Sequence, residues 1–459
     1  MKLYFYNTLG RKKQEFKPIK DEIGFYACGP TVYHYAHLGN LRSYVFMDIL
    51  RKTLEYNNYD VNLVMNITDV GHLTDDADEG EDKMEKGARR EGKSVWDIAK
   101  HYEEAFLEDI KNLNIEKPST ICRATEHIEE QINLIKEIEK NSFTYTTSDG
   151  VYFDTSKLDD YGKLVPNFNA EELEVGKRIS LGEKKNSTDF ALWKFSPEKE
   201  QRQMEWDSPW GKGFPGWHIE CTAMACKYLG NKFDIHTGGI DHIPVHHTNE
   251  IAQAQGAYGE EHVNYWLHNE FLKVESGKMA KSEGNFLRMQ TIYDKGYSAL
   301  DYRYMCLLTH YRKQLNFTWD ALEAAANARK KINNKVLELK EKNKETGKVL
   351  EKYKDEFQEH INNDLNTPKA ISTLQELIDS KEEAKNILAT TYELDKVLGL
   401  GLINVEKEKI PEDVKLLAEH RELARKNKEF KEADRLRDKI KGKGFKVKDK
   451  KDGFEIERI

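Results

Sequence analysis

Short apolar runs alternate with amphipathic stretches over the first 125 residues. Ile23–Cys28 (IGFYAC) is apolar and aromatic, as a buried strand would be. Gly29-Pro30-Thr31 breaks it. From about Leu41 the positions Val45, Ile49 and Leu50 recur at helical spacing, and Val61–Ile67 (VNLVMNI) predicts a second strand after that helix ends near Tyr56. Strand, helix, strand in this order opens a doubly wound α/β sheet. Asp75–Glu91 is dense in both charges and predicts a solvated helix or loop. Its acidic cluster lacks the ligand spacing of a calcium loop.

The alternation stops near residue 126. Thr144–Asp154 (TYTTSDGVYFD) predicts a hairpin turning at Asp149-Gly150. Residues 126–204 therefore read as a subdomain inserted between two halves of an α/β domain, 1–125 and 205–275. The α/β pattern resumes near Trp206. Phe233–His236 predicts a strand that runs into Thr237-Gly238-Gly239, and ligands gather at such carboxyl ends. After a loop-bearing region, 276–317, Thr318 is set to cap a helix. Leu322, Ala325, Ala328, Ile332, Val336 and Leu339 form one apolar stripe, which opens a helical bundle over 318–402. Thr367-Pro368 reads as an N-cap and first turn, with Leu374, Leu377 and Ile378 facing inward. Breaks at Gly399-Leu400-Gly401 and Pro411 set off 403–459, which reads as one or two helices and a short β unit around Phe445–Val447 and Phe454–Ile456.

Composition narrows the class. Of 459 residues 33% are charged, and no apolar run approaches the roughly 18 residues of a membrane span, so a soluble chain with no membrane partner is expected. The first residues, MKLYFYNTLGRKKQEF, lack the apolar stretch of a signal peptide. Five cysteines (Cys28, Cys122, Cys221, Cys226 and Cys306) fit a reducing cytoplasm and metal or catalytic roles rather than a disulfide framework. A net charge of −8 excludes a surface that is basic all over, so any RNA surface must be local. Residues 421–459 carry 15 Lys and Arg against 9 Asp and Glu. Within them Arg421, Arg425, Lys428, Arg435 and Arg437 are the candidate phosphate contacts; a solvated lysine-rich tail is the plainer reading.

Two short motifs carry candidate chemistry. His37-Leu38-Gly39-Asn40 lies where a strand turns into a helix. A phosphate there would meet free backbone N–H groups, Gly39 leaves room for it, and His37 can donate to its oxygens. Lys278-Met279-Ala280-Lys281-Ser282 puts two ammonium groups in the Gly-rich stretch Gly277–Gly284, which suits a departing pyrophosphate. Each motif alone matches an ordinary turn as well. A metal set is also available. His246 and Glu250 stand four apart and share a helix face, and so do His247 and Glu250 at three apart. With Cys28 and Cys221 they supply thiolates, an imidazole and a carboxylate of the kind zinc takes. Without a local CxxC spacing, Cys221 and Cys226 read equally well as small core residues.

In this order the two motifs resemble the HIGH and KMSKS signatures of class I aminoacyl-tRNA synthetases. Within that class the chain is similar to the cysteinyl-tRNA synthetases over essentially its whole length. The similarity runs through FYACGPTVYHYAHLGN, NITD at 66–69, GWHIEC, FDIHTGGID, HHTNEIAQ, KMAKSEGN, NDLNTP and ADRLRD. The resemblance implies a Rossmann-type parallel sheet with an inserted subdomain, then a helical bundle and a small mixed α/β unit that reaches the anticodon. It implies ATP-dependent activation of L-cysteine to cysteinyl-adenylate, with Mg²⁺ accompanying ATP, and transfer to tRNA(Cys). One Zn²⁺ per chain would be held by Cys28, Cys221, His246 and Glu250. Cys28, Gly29, Thr31, Thr68 and Trp217 would border the cysteine pocket. His37, Gly39, Asn40, Gly239, Asp241 and Lys281 would hold ATP. His37, Asn40, Lys278 and Lys281 would stabilise the charge that develops in the reaction.

A metal explains selectivity, because shape alone separates serine from cysteine by only about 1–3 kcal/mol. A monomer is expected. The signature ends in Asn40 where His is usual, and Ala280 replaces a Ser; His242 has no role in this scheme. A cysteine ligase that acts on an amino-sugar acceptor is the nearest alternative. A non-catalytic RNA-binding descendant is another, and the retained signature lysines and ligand set weigh against it.

Overall fold

The computed structural model describes residues 1–71, 82–168, 183–197, 202–274, 277–278, 286–343, 347–407, 410–450 and 453–458. Five parallel strands lie in the spatial order Val263–Asn269, Phe233–Gly239, Glu22–Ala27, Asp60–Ile67 and Thr120–Arg123. Ile235 pairs with Phe25, Phe25 with Leu63, and Val64 with Thr120. Leu63, Val64, Met65 and Ile67 are all fully buried. Helices cover a parallel sheet on both faces, which is why Ile23–Cys28 and Val61–Ile67 read as mainly apolar runs. The strand order reverses between Glu22–Ala27 and Phe233–Gly239. A crevice opens at such a switch point, at the carboxyl ends of the strands.

The helix after the first of these strands runs Leu38–Tyr56 and starts three residues before the expected Leu41, because His37 caps it. Its buried Arg42 donates to the carbonyl oxygens of Glu270, Phe271 and Lys313 at 2.6, 2.7 and 2.6 Å, which ties the helix to the chain leaving the sheet. Deeper in, Arg303 pairs with Asp48 at 2.6 Å, both side chains fully buried, and Lys52 joins them at 2.9 Å.

The insertion is an antiparallel sheet of Thr144–Thr146, Gly150–Phe153, Phe190–Phe195 and Gly213–Pro215. The hairpin is present, with Tyr145 opposite Tyr152, but it turns over residues 147–149 rather than at Asp149-Gly150, because Gly150 already belongs to the second strand. The sheet's last strand extends past the expected boundary at 204 to Pro215. Leu134, Ile135 and Ile138 of helix Ile128–Lys140 share one core with Val151, Phe153 and Trp193 of the insertion and with Ile219, Ala223 and Ala252 of the main domain. Beyond the central sheet, Leu272–Val274 pairs with Leu315–Phe317 and with the two-residue strand Gly277–Lys278.

Helices Trp319–Lys342, Glu351–Asn362, Thr367–Ile378 and Ala384–Leu398 follow. Thr318 caps the first through the Ala321 N–H. Its stripe is buried as expected except for Ala328, which is half-buried. Asn366, not Thr367, caps the third helix by accepting from the Lys369 N–H. Residues 1–403 form one compact unit and 404–459 a second. The second has helices Glu412–Lys426 and Phe430–Gly442 and the hairpin Phe445–Lys450 with Gly453–Arg458, closed over Val414, Ala418, Ile440 and Phe445. Among the described residues no helix is long and apolar enough to cross a membrane.

Candidate active site and metal centre

A cavity of about 300 Å³ opens at the switch point. Cys28, Gly29, Thr31, His37, Gly39, Asn40, Thr68, Trp217, Cys221, Gly239, Asp241 and His246 all line it. Every candidate ATP, cysteine and metal residue that the structure describes is thus at this cavity or, for Glu250, buried behind it.

On one side His37 and Asn40 form a reciprocal cap. The Asn40 N–H donates to His37 Nδ1 at 3.0 Å, and the His37 N–H donates to Asn40 Oδ1 at 3.2 Å. This locks the first helical turn open toward the cavity with the positive end of the helix dipole facing in. A Cβ at Gly39 would stand 2.9 Å from the His37 ring, and one at Gly239 would overlap Asp241 Oδ1. The Leu38 N–H donates to Leu287 O at 2.9 Å, joining this turn to the chain just after the lysine motif. Lys278 ends the two-residue strand opposite Lys273; Met279, Ala280 and Lys281 lie outside the described residues.

On the other side the chain after Glu22–Ala27 is held tightly. The Cys28 N–H donates to Thr237 O at 3.2 Å and the Gly29 N–H to Asn66 Oδ1 at 2.8 Å. A Cβ at Gly29 would overlap the Asn66 carbonyl oxygen, so only glycine passes here. The Val32 N–H donates to Thr68 O, and the Thr68 N–H to Pro30 O, which sets Thr31 beside Thr68. Thr68 Oγ1 in turn donates to the buried Glu220 at 3.1 Å. Trp217 stacks on His246 with centroids 4.4 Å apart.

At the floor, one donor atom each from Cys28, Cys221, His246 and Glu250 lies within 4.8 Å of the others. Cys221 comes from helix Trp217–Leu229; His246 and Glu250 come from successive turns of helix His246–Tyr258. A second, overlapping set consists of Cys28, His236, His247 and Glu250. Glu250 is fully buried. Its Oε2 meets His236 Nε2 at 2.9 Å, and its Oε1 lies 3.0 Å from His246 Nε2. A carboxylate taken out of water costs free energy unless cations or a metal ion meet it. With two sulfurs and an imidazole beside it, the donor set fits a zinc ion.

The titration behaviour agrees. Burial pushes the Cys28 thiol up. Cys221 is lowered to about 7 because Cys28 donates to it, against the opposing effect of burial. Burial pulls His246 down, but Glu250 and Cys221 outweigh it and raise the imidazole to about 10. His236 and His246 hold Glu250 well below the usual carboxylate range despite its burial. The anionic donors thus gather positive charge around themselves.

A shell of histidines behind this set was not assigned from the sequence. His218 Nδ1 meets His246 Nδ1 at 2.9 Å, Cys28 Sγ meets His247 Nε2 at 3.3 Å, and His247 Nδ1 meets His268 Nε2 at 2.7 Å. His242 lines the cavity and packs against Trp217, His246 and His247, and burial lowers it to about 4. Asn66 and Glu220, which hold Gly29 and Thr68, were also missed. The one available signal was the density of histidine in FDIH and HHTNE. Cys122 and Cys306 are buried, and Cys226 is half-buried.

In the second unit Arg425, Lys428, Arg435 and Arg437 are exposed. Arg435 and Arg437 pair locally with Glu432 and Asp434, and Arg425 with Asp449. Arg421 departs from the expectation of a phosphate contact: it is 5% exposed, and its guanidinium donates to the exposed carboxylate of Asp449 at 2.8 Å.

Comparison with known proteins fits these features. The profile of the tRNA synthetases class I (C) catalytic domain matches residues 15–327. A protein of Burkholderia lata named cysteine–tRNA ligase 1 is 50% identical, over 99% of this chain and 96% of its own. A cysteine–tRNA ligase of Treponema denticola is 49% identical over 98% of both. Among solved structures, Mycobacterium tuberculosis methionyl-tRNA synthetase in complex with methionyl-adenylate shares the fold. Its TM-score is 0.57 at 16% identity, over 84% of this chain and 91% of that one.

Proposed function

The chain belongs to the cysteine–tRNA ligases of the class I tRNA synthetases, and on that premise we propose that its cavity joins L-cysteine to tRNA(Cys) in two steps. In the first, a cysteine carboxylate oxygen attacks the α-phosphorus of ATP, the bond to the bridging oxygen breaks, and pyrophosphate leaves. In the second, a hydroxyl of the terminal tRNA ribose, expected to be the 2′-OH, attacks the carbonyl carbon of cysteinyl-adenylate, and AMP departs. No enzyme nucleophile is required; positioning and charge stabilisation carry the rate.

The cavity lining supports the following roles for its residues, and the resemblance supplies those of the lysine motif. The helix start at Leu38, with His37 and Asn40, meets the phosphates. Asn40 still donates hydrogen bonds, so its replacement of His keeps the function. Gly239 lets the nucleotide close on the sheet, and Asp241 beside it accepts from ribose hydroxyls. Lys278 and Lys281 neutralise pyrophosphate, and Mg²⁺ accompanies ATP. Gly29, Thr31, Thr68 and Trp217 enclose the amino acid. A zinc ion held by Cys28, Cys221, His246 and Glu250 would lower the substrate thiol's pKa and bind its thiolate, an interaction that a serine hydroxyl or an alanine methyl does not offer. Arg425, Lys428, Arg435 and Arg437 contact tRNA phosphates in a monomeric, cytoplasmic enzyme.

The observation that carries this reading is the convergence of four donors on one floor, with Glu250 among them fully buried. An amino-sugar acceptor would need no second unit, yet the similarity to the ligases runs through residues 404–459. The test is metal analysis of purified protein together with ATP–pyrophosphate exchange assayed with all twenty amino acids. One zinc per chain and exchange with cysteine alone are expected. Metal-free protein that remains fully active would remove the zinc reading, and exchange driven by another amino acid would remove cysteine as the substrate.

A further inference from the structure

One wall of the cavity is aromatic, and the scheme above gives it no role beyond the edge-on contact of Phe286 with the His37 ring at 5.8 Å. Tyr35 is half-buried and lines the cavity beside Tyr102 and Phe286. The guanidinium of Arg288 lies over the Tyr35 ring, 4.6 Å from its centroid. Tyr102 meets the same ring edge-on at 4.9 Å and 88°. The Tyr35 hydroxyl and His101 Nε2 are 3.2 Å apart. The ring is therefore fixed from several directions at the cavity wall. A tyrosine with a guanidinium beside it suits a flat, electron-rich ring next to an anionic backbone, because nucleobases stack on tyrosine and on arginine.

Topology indicates which base. Gly239 and Asn269 end strands on one flank of Glu22–Ala27, and Asp241 follows in the turn after Gly239. Tyr102 sits on helix Val95–Asn112, in the connection between Asp60–Ile67 and Thr120–Arg123 on the other flank. The aromatic wall thus faces the nucleotide residues across the amino-acid pocket. We infer that Tyr35 and Arg288 form the platform on which the terminal adenine of tRNA stacks, holding the attacking ribose hydroxyl over the adenylate. The inference rests on the ligase reading above and adds to it a place for the RNA end.

The test uses full-length wild type, Tyr35→Ala, Tyr35→Phe and Arg288→Ala. Each is measured for binding of intact tRNA and of the same tRNA lacking its terminal adenosine, for single-turnover transfer from preformed adenylate, and for cysteine-dependent ATP–pyrophosphate exchange. Removing the terminal adenosine is expected to weaken binding to wild type and Tyr35→Phe by about tenfold, the scale of one stacked base. Tyr35→Ala should bind both tRNAs alike and transfer about tenfold more slowly, with Arg288→Ala between the two and exchange within about twofold throughout. If Tyr35→Ala loses the same factor as wild type on removal of the adenosine, the platform is wrong. A rise in the KM for ATP, or exchange falling in step with transfer, would place the ring at ATP or in the fold and also overturn it. Absence of cysteine-dependent exchange in wild type would instead remove the ligase reading, and this inference with it.

Discussion

Replacing Glu250 with Gln tests the metal floor most directly. The amide oxygen can still accept from His236, which contacts Oε2 at 2.9 Å, so the helix and its packing should survive. What disappears is one negative charge within 4.8 Å of the other donor atoms. Removing one partner of a buried charge pair costs about 3–5 kcal/mol. The lower figure, about 3 kcal/mol, is on the order of 150-fold in zinc affinity. The assay is zinc affinity by chelator competition, with metal content after dialysis and far-UV circular dichroism as a check on folding. A folded Glu250→Gln that binds zinc within threefold of wild type would refute the reasoning and leave Glu250 as a structural partner of His236.

Other outcomes follow from the same coordinates. Cys221→Ser should lose zinc and at least tenfold of the preference for cysteine over serine; a variant that kept both would end the metal account of selectivity. Asp48→Asn leaves Arg303 without its buried counter-ion and should cost about 3–5 kcal/mol, seen as a large drop in the thermal midpoint. Asp395 is pushed up to about 6 by burial, only partly offset by the N–H groups of Leu402 and Leu400. A raised carboxyl contributes stability that is complete below its unfolded pKa of about 4 and is lost as pH rises through 6. From pH 5 to 7, wild type should therefore lose on the order of 1 kcal/mol relative to Asp395→Asn, whose amide does not titrate; equal slopes in denaturant titrations would contradict this. Truncation after Ile403 removes the second unit and should raise the KM for tRNA while exchange stays nearly intact. Loss of both together would mean that the tail is structural.

What could be read from the chain depended on where each residue's partners lie. Of the five central strands, Glu22–Ala27 and Asp60–Ile67 were legible because burial on both faces writes them as apolar runs, and Phe233–Gly239 by its position before a glycine pair. Thr120–Arg123 and Val263–Asn269 carry polar residues and were not read. The strand Gly213–Pro215 was not, because Gly and Pro normally mark a break, and here backbone pairing to Trp193–Phe195 overrides that preference. His246 and Glu250 could be paired from helical spacing, but spacing could not choose between His246 and His247. Both imidazoles do reach Glu250 Oε1, at 3.0 and 3.9 Å; the fold turns His247 toward Cys28 and His268. His236 and His268 sit inside strands, and sheet register brings them to the site. Arg421 was the opposite case. It falls on the same stripe as Val414, Ala418 and Ala424, so the helical period already marked it as inward; its charge drew the assignment to the surface instead.

The hydrogen bond from Leu38 to Leu287 bears on when the enzyme becomes active during its synthesis. It closes a loop of roughly 250 residues, a span whose closure entropy grows only with the logarithm of its length. Its two ends nevertheless leave the ribosome far apart in time. Nascent chains shorter than about 287 residues have the histidine turn but not the Leu287 carbonyl that receives it. Such fragments should neither consume ATP nor hold a cysteinyl group, so an abandoned translation product is silent rather than half-competent.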